Sequence, residues 1–364
     1  MRGHPPHRKS YRKFPGECWA REGESTVSKV RVGVAGYGVI GNRLAAGVAA
    51  QEDMELVGVA DVAPTLAVRA LRERGMPFPL FAAVPGSEQV LGDAGIPVSG
   101  SFDDLLDEVD VMLDSAPGGI GAKNKVKYLE HDVKAVFQGG EAAEVADVFF
   151  HGTANYDKGL GVDFLKLTSC NTTGLIRAVD AVHRAVGVTK TFITIVRRVA
   201  DPGDTHRGLT NVLQVEPIPN HQAVDLMHII PEIEATGMLI HAPVTHGHII
   251  TVSVTPQRKM SVEDALDVFR AYPRIKIVRI ADGFNSNSSL FQWARYMEYP
   301  RADMFEIGLW EEMVGLSGDD LVFAINIPQE AVTIPETIDA IRAATRMQAT
   351  SAEAVAATDK YLGI

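Results

Sequence analysis

Apolar and polar positions begin to organise at residue 30, where Val-Arg-Val-Gly-Val-Ala reads as a strand running into Gly36-Tyr37-Gly38-Val39-Ile40-Gly41. A helical stretch over 42–51 follows, and a second apolar strand over 55–60 ends on Asp61. A polar helix over 101–107, a strand over 111–114, a break at Pro117-Gly118-Gly119 and a strand over 134–137 continue the alternation. Strands alternating with helices predict an α/β fold with a doubly wound, parallel Rossmann sheet. Long strands with period-two alternation over 190–197 and 248–255 accompany helices over 173–186 and 261–271. This second region predicts an α+β unit whose mixed sheet carries helices on one face. Ile338 and Ile341 share helical spacing over 335–347, and Thr350-x-x-Glu353 resembles a capping box before a last helix.

Composition narrows the class. The 364 residues are 46% hydrophobic and 22% charged, which excludes disorder for most of the chain, and at about 150 residues per domain they suggest two domains. No apolar run approaches the roughly 18 residues that would cross a bilayer, and no leader pattern opens the chain, so a cytoplasmic protein without membrane partners is expected. Cys18 and Cys170 are too few for a disulfide framework. A net charge of −11 argues against a broad basic face for nucleic acid. Residues 1–28 differ: Pro5-Pro6 and Phe14-Pro15 breaks, basic pairs at Arg8-Lys9 and Arg12-Lys13, and no amphipathic period predict a disordered, dispensable extension.

The glycine run gains weight from its setting between a strand and a helix, with Asp61 placed 25 residues after Gly36 at the end of the next strand. Gly36 permits a tight turn, Gly38 lets backbone approach a pyrophosphate, and Gly41 allows helix to pack on strand. The helix N-terminus offers free N–H groups to phosphates. Asp61 suits the ribose hydroxyls of NAD and would repel the 2′-phosphate of NADP, so NAD is the preferred cofactor.

Cys170 stands where an apolar strand end meets a helix striped by Leu175, Val179, Val182 and Val186. A helix N-terminus stabilises thiolate over thiol, which favours nucleophilic chemistry on an aldehyde over a buried structural cysteine. Such chemistry needs a proton acceptor, and histidine suits it. His241, His246 and His248 cluster before a strand, and His221 falls in a proline-broken loop. His246-Gly247-His248 lacks a third ligand at matching spacing, so no metal is expected. Arg197-Arg198, before Ala200-Asp201-Pro202, suits a phosphate-bearing ligand.

Together these segments resemble the archaeal-type (class II) phosphorylating glyceraldehyde-3-phosphate dehydrogenases from about residue 30 onward. The carriers are the glycine run, Gly119-Ile120-Gly121-Ala122-Lys123-Asn124, Phe137-Gln138-Gly139-Gly140-Glu141, Ser169-Cys170-Asn171-Thr172-Thr173-Gly174-Leu175 and Arg197-Arg198-x-Ala200-Asp201-Pro202. The resemblance implies a glycolytic homotetramer in which Cys170 carries the acyl group. It also implies that Val39, Ile40, Gly140, Arg198 and Gln329 contact the dinucleotide, that Ser169, Asn171, His221 and Gln222 hold substrate, and that Arg197 lies near a phosphate. An ungapped count from Pro243 makes His248 the base, and a two-residue gap would select His246 instead. The onward spacing to Glu263-Asp264 favours His248.

The family's Lys-Thr-Arg-like run is replaced by Asp61-Val62-Ala63, its Ser-His-His-Gly-Pro-Asp by Asn220-His221-Gln222-Ala223-Val224-Asp225, and its His-Gln-Glu-Ser by Pro328-Gln329-Glu330-Ala331. The expected division is an extension over 1–28, a dinucleotide-binding domain over 29–169, a catalytic domain over 170–333, and C-terminal helices over 334–364 that pack back on the first domain. The expected reaction joins glyceraldehyde 3-phosphate, inorganic phosphate and NAD to give 1,3-bisphosphoglycerate. Two alternatives stay open: a related dehydrogenase or reductase for another phosphorylated or anionic aldehyde, and a non-catalytic NAD- or redox-sensing protein.

Overall fold

A computed structural model describes residues 29–138, 140–198, 213–244 and 246–364. The basic extension 1–28, Gly139 and Ala200-Asp201-Pro202 lie outside the described residues. The first sheet comprises β1 (Val30–Ala35), β2 (Met54–Asp61), β3 (Leu80–Ala82), β4 (Gly100–Ser101), β5 (Val111–Asp114), β6 (Lys134–Phe137), β7 (Val148–Phe150) and β8 (Phe164–Leu167). Its order is β4-β3-β2-β1-β5-β6-β8-β7, and its described pairings are parallel. Helices α1 (Gly41–Ala49), α2 (Leu66–Glu73), α3 (Ser87–Asp93), α4 (Phe102–Leu106) and α5 (Gly121–Glu130) provide the crossovers. Both faces are covered, which is why residues 32–35 of β1 and 111–113 of β5 are apolar without alternation. The chain reverses its winding between β1 and β5, and the crevice at their carboxyl ends is where ligands of such sheets bind.

The second sheet comprises β9 (Val188–Arg198), β10 (Gln214–Glu216), β11 (Glu234–Ala242), β12 (His248–Pro256), β13 (Ile275–Val278), β14 (Ile307–Trp310), β15 (Gly315–Ser317) and β16 (Asp320–Ile327). The order is β10-β11-β9-β12-β16-β14-β13, with β15 beside β16. Parallel β9–β11 and antiparallel β9–β12 pairs make the sheet mixed. Helices α6 (Cys170–Val186), α7 (His221–Ile229) and α8 (Val262–Ala271) bury Leu175, Val179, Leu226 and Phe269 against one face. The one-face expectation needs correction, because α9 (Asn287–Tyr296) packs Leu290 and Ala294 on Ala324 from the opposite face. There β16 is apolar on both sides, and its second apolar face also needs cover.

Helices α10 (Ile334–Ala344) and α11 (Ser351–Leu362) close the chain. Ile334, Ile338 and Ile341 join the core of the first sheet beside Leu44 and Val48 of α1. Arg342 fastens this contact through Asp53 at 2.6 Å and Gln51 at 2.7 Å. Among the described residues no helix is long and apolar enough to cross a membrane.

Candidate active site

The turn after β1 behaves as its glycines demand. Gly36 has φ +83°, a conformation that side chains rarely adopt. A Cβ at Gly41 would collide with the Gly36 carbonyl oxygen, so the helix could not close onto the strand. A Cβ at Gly38 would meet nothing within 4 Å, which leaves one flank of the turn open to a ligand. Around it, Val39, Val62, Val84 and Ile120 are exposed at the carboxyl ends of neighbouring strands. An apolar ring above a glycine turn and a helix N-terminus fits a dinucleotide: flat bases on the valines, phosphates on the amides. Gly140 lies across from Gly118 on the same side, its Cβ position 3.8 Å from the Gly118 backbone.

Asp61 has a structural role beside the one expected of it. Its Oδ2 accepts from the Tyr37 N–H at 2.9 Å, and its Oδ1 accepts from Val62 N–H at 2.7 Å and Ala63 N–H at 3.3 Å. It is therefore first a brace for the glycine turn. Three of its four lone-pair sites are taken, and the one left, on Oδ2, could accept from a ribose hydroxyl.

Helix α6 starts three residues before the expected boundary, with Ser169 as N-cap accepting from the Thr172 N–H at 3.4 Å and Cys170 as the first helical residue. Residues 171–182 are buried on every side, so the helix is a rigid mount for the half-buried, free Cys170 thiol. Its Sγ lies 3.8 Å from His248 Nε2. The backbone N–H of Arg198 donates to His248 Nδ1 at 3.1 Å. His246 is elsewhere: its ring lies tilted against Phe291 with centroids 4.2 Å apart, and its carbonyl accepts from Asn287. Geometry thus separates the two histidines that the sequence left as alternatives.

Burial pushes the Cys170 thiol up, against smaller lowering effects from Arg197, the Asn171 N–H and Arg198. Desolvation here opposes the thiolate that a helix N-terminus favours. Burial, with Arg198, Arg197 and His241 adding like charge, pulls His248 down to about 3. The antiparallel pairing of β9 with β12 sets Arg197 on the same face as His248, whereas Arg198 turns to the other side and pairs with Glu330 at 2.8 Å.

A second polar layer sits beside the cysteine. Ser169 Oγ and Thr172 Oγ1 are 2.9 Å apart, and Thr172 Oγ1 donates to Asp225 Oδ2 at 3.1 Å. His221 is corrected from loop to helix: Asn220 caps α7 by accepting from the Ala223 N–H at 2.9 Å, which makes His221 its first residue. Gln222 Nε2 and His221 Nε2 are 2.8 Å apart. Asn171 Oδ1 and Gln222 Oε1 are buried without a hydrogen-bond partner among the described residues, and each is an acceptor that a donor on a bound molecule would satisfy. Sequence reasoning did not single out Lys166, a buried cation on β8 lying over the Phe149 ring at 4.4 Å. Burial pulls it below the usual lysine range, while Asp225 and Glu141 oppose the shift. The signal was there, since a lysine inside Phe-Leu-Lys-Leu is out of place in a buried strand. Among the described residues no group of three or more His, Cys, Asp or Glu could hold a metal ion.

Comparison with known proteins follows the same lines. Residues 169–312 match the family description "Glyceraldehyde 3-phosphate dehydrogenase, C-terminal domain". The chain is 39% identical to a glyceraldehyde-3-phosphate dehydrogenase of Thermococcus kodakarensis over 340 residues, covering 92% of this chain and 99% of that one. Enzymes of the same name from Archaeoglobus fulgidus (36%; 92% and 98% covered) and Halobacterium salinarum (38%; 92% and 100%) are similar. Among solved structures, aspartate semialdehyde dehydrogenase II from Vibrio cholerae superposes with a TM-score of 0.58 at 14% identity, covering 92% of this chain and 99% of that one, a likeness of fold.

Proposed function

The chain belongs to the archaeal-type glyceraldehyde-3-phosphate dehydrogenase family, and from that premise we propose that it oxidises glyceraldehyde 3-phosphate to 1,3-bisphosphoglycerate with NAD and inorganic phosphate. The observation that carries this is Cys170, half-buried at the start of a buried helix with His248 at 3.8 Å and Arg197 on the same face. The open flank of the Gly36–Gly41 turn, Gly140, Val39 and Ile40 would hold the dinucleotide, with Arg198 and Gln329 toward its nicotinamide end. When bound, NAD supplies the hydride acceptor.

The protein's own groups do the rest. Cys170 adds to the aldehyde carbon and retains the acyl group as a thioester for phosphate to release. Ser169, Asn171, His221 and Gln222 orient the substrate, and Arg197 receives its phosphate. Asp61, an anion at the end of β2, supports NAD over NADP because a 2′-phosphate there meets like charge. We read the first sheet with α10 and α11 as the dinucleotide-binding unit and the second as the catalytic one. The outer face of β9 and β11, which exposes Phe192 and Met238, supports association of copies into a homotetramer. A catalytic thiol that must stay reduced suits the cytoplasm.

Replacing Cys170 with Ser tests the covalent mechanism. Turnover, followed as NADH formation with glyceraldehyde 3-phosphate and phosphate, should fall to background while NAD binding by calorimetry is unchanged. Surviving turnover would contradict a cysteine acyl carrier.

A further inference from the structure

The hydroxyl groups beside Cys170 have a direction. Thr172 has one hydroxyl proton, and it goes to the Asp225 carboxylate at 3.1 Å, an acceptor with no proton of its own to give. Ser169 Oγ lies 2.9 Å from Thr172 Oγ1, so the hydrogen between them is the serine's. The Thr172 N–H takes one lone pair of Ser169 Oγ at 3.4 Å. One lone pair remains, and with it the half-buried Ser169 meets a ligand as an acceptor. Asn171 Oδ1 and Gln222 Oε1 share that polarity, both buried without a partner among the described residues, while Gln222 Nε2 donates to His221 Nε2. Resting on the function proposed above, we propose that Asp225 and Lys166 are positioning residues that fix the Ser169 hydroxyl as an acceptor, so that the site selects aldehydes bearing a hydroxyl donor next to the carbonyl.

Three elements build this arrangement. Thr172 is fully buried in the first turn of α6 and Ser169 is the N-cap of that helix, which holds both oxygens in place. Asp225 stands one turn along α7 from His221. Lys166 comes from β8, its ammonium over the Phe149 ring at 4.4 Å and donating to the Leu167 carbonyl oxygen at 3.3 Å. The groups facing Asp225 are Thr172 from α6, Lys166 from β8, and His221 and His228 on α7 itself.

The direction holds only while Asp225 is charged. A protonated carboxyl would donate to Thr172 Oγ1, the Thr172 proton would turn to Ser169, and Ser169 would present its own proton to the ligand. Burial raises the Asp225 carboxyl and so favours that reversal, while the Thr172 hydroxyl and then Lys166 lower it again. Burial also lowers Lys166, and Asp225 is the first charge to oppose the shift. Each therefore keeps the other ionised, and the lysine that the sequence hides in an apolar strand gains a task.

The test compares single-turnover NADH formation from glyceraldehyde 3-phosphate and from 3-oxopropyl phosphate, which lacks the hydroxyl next to the carbonyl, with NAD saturating and inorganic phosphate left out. Wild type should favour the hydroxylated aldehyde by about 10–100-fold, because the other leaves a buried acceptor unpaired. Thr172→Val and Asp225→Leu should each cut that preference about tenfold, and Thr172→Ser, which keeps the hydroxyl, should retain it. Lys166→Met should lose the preference at a higher pH than wild type as the pH falls, since its Asp225 takes up a proton sooner. A purely structural role slows both aldehydes alike, so an unaltered preference in the Thr172→Val and Asp225→Leu variants overturns the proposal, as does a wild type indifferent to the hydroxyl. Matching pH profiles for Lys166→Met and wild type overturn the part given to Lys166. No NADH from wild type with either aldehyde would instead sink the proposed function.

Discussion

Asp61 braces the glycine turn, and in the proposed function it also selects the cofactor. Its carboxylate accepts three backbone N–H bonds that shape the turn after β1, and under the proposed function the same charge would meet the adenosine ribose. Asp61→Ala should therefore weaken both cofactors but NAD more. The ratio of kcat/KM for NAD over NADP should fall roughly tenfold, equivalent to about 1.4 kcal/mol of lost discrimination. Steady-state rates with each cofactor measure it, and an unchanged ratio would show that the carboxylate acts only on the turn. The acidic residue at the end of β2 was legible from spacing alone. Its role as a brace was not, because backbone hydrogen bonds depend on where Tyr37 folds in space. Cys170 is similar: its place at a helix start could be read from Ser-Cys-Asn-Thr-Thr, while the burial that raises its thiol belongs to tertiary packing.

Helix α6 carries the nucleophile, and Gly174, one turn along it, is the point where it rests on the second sheet. A Cβ there would press into Ile327 and come within 2.8 Å of Ile307 Cγ2. Overpacking a tight core costs about 1–3 kcal/mol, more than the helix propensity that alanine gains. Gly174→Ala should destabilise the protein by about that amount in urea unfolding and lower kcat by moving Cys170 relative to His248. A variant with unchanged stability and rate would show that the helix is not seated through this contact. Elements with clean periods, β1, β2, α6 and β12, were readable in the chain. Strands β11 and β16 were not singled out, because Gly237 interrupts the one and the other is apolar on both faces. His221 was read as loop from Pro217 and Pro219, yet Asn220 turns the next residue into the start of α7.

Across the whole molecule, an ion cluster buried except at Asp359 ties the catalytic helix to the C-terminal helices. Arg177 of α6 meets Glu336 of α10 at 2.8 Å, and Arg274 bridges Glu336 at 3.2 Å, Asp339 at 2.7 Å and Asp359 at 2.8 Å. Removing one partner of such a network strands a charge and typically costs about 3–5 kcal/mol. These contacts link α6 to the helices that pack on α1, so the cysteine is held in register with the glycine turn across both sheets. That register matters because the proposed reaction needs the sulfur and the hydride acceptor to reach the same carbon. The most direct measurement is intact-protein and peptide mass spectrometry after rapid acid quench of enzyme with glyceraldehyde 3-phosphate and NAD, without phosphate. The expected result is a phosphoglyceroyl adduct on the Cys170 peptide, equal in amount to the NADH formed and lost when phosphate is added. NADH produced with no adduct on Cys170 would contradict the thioester on which the proposal stands.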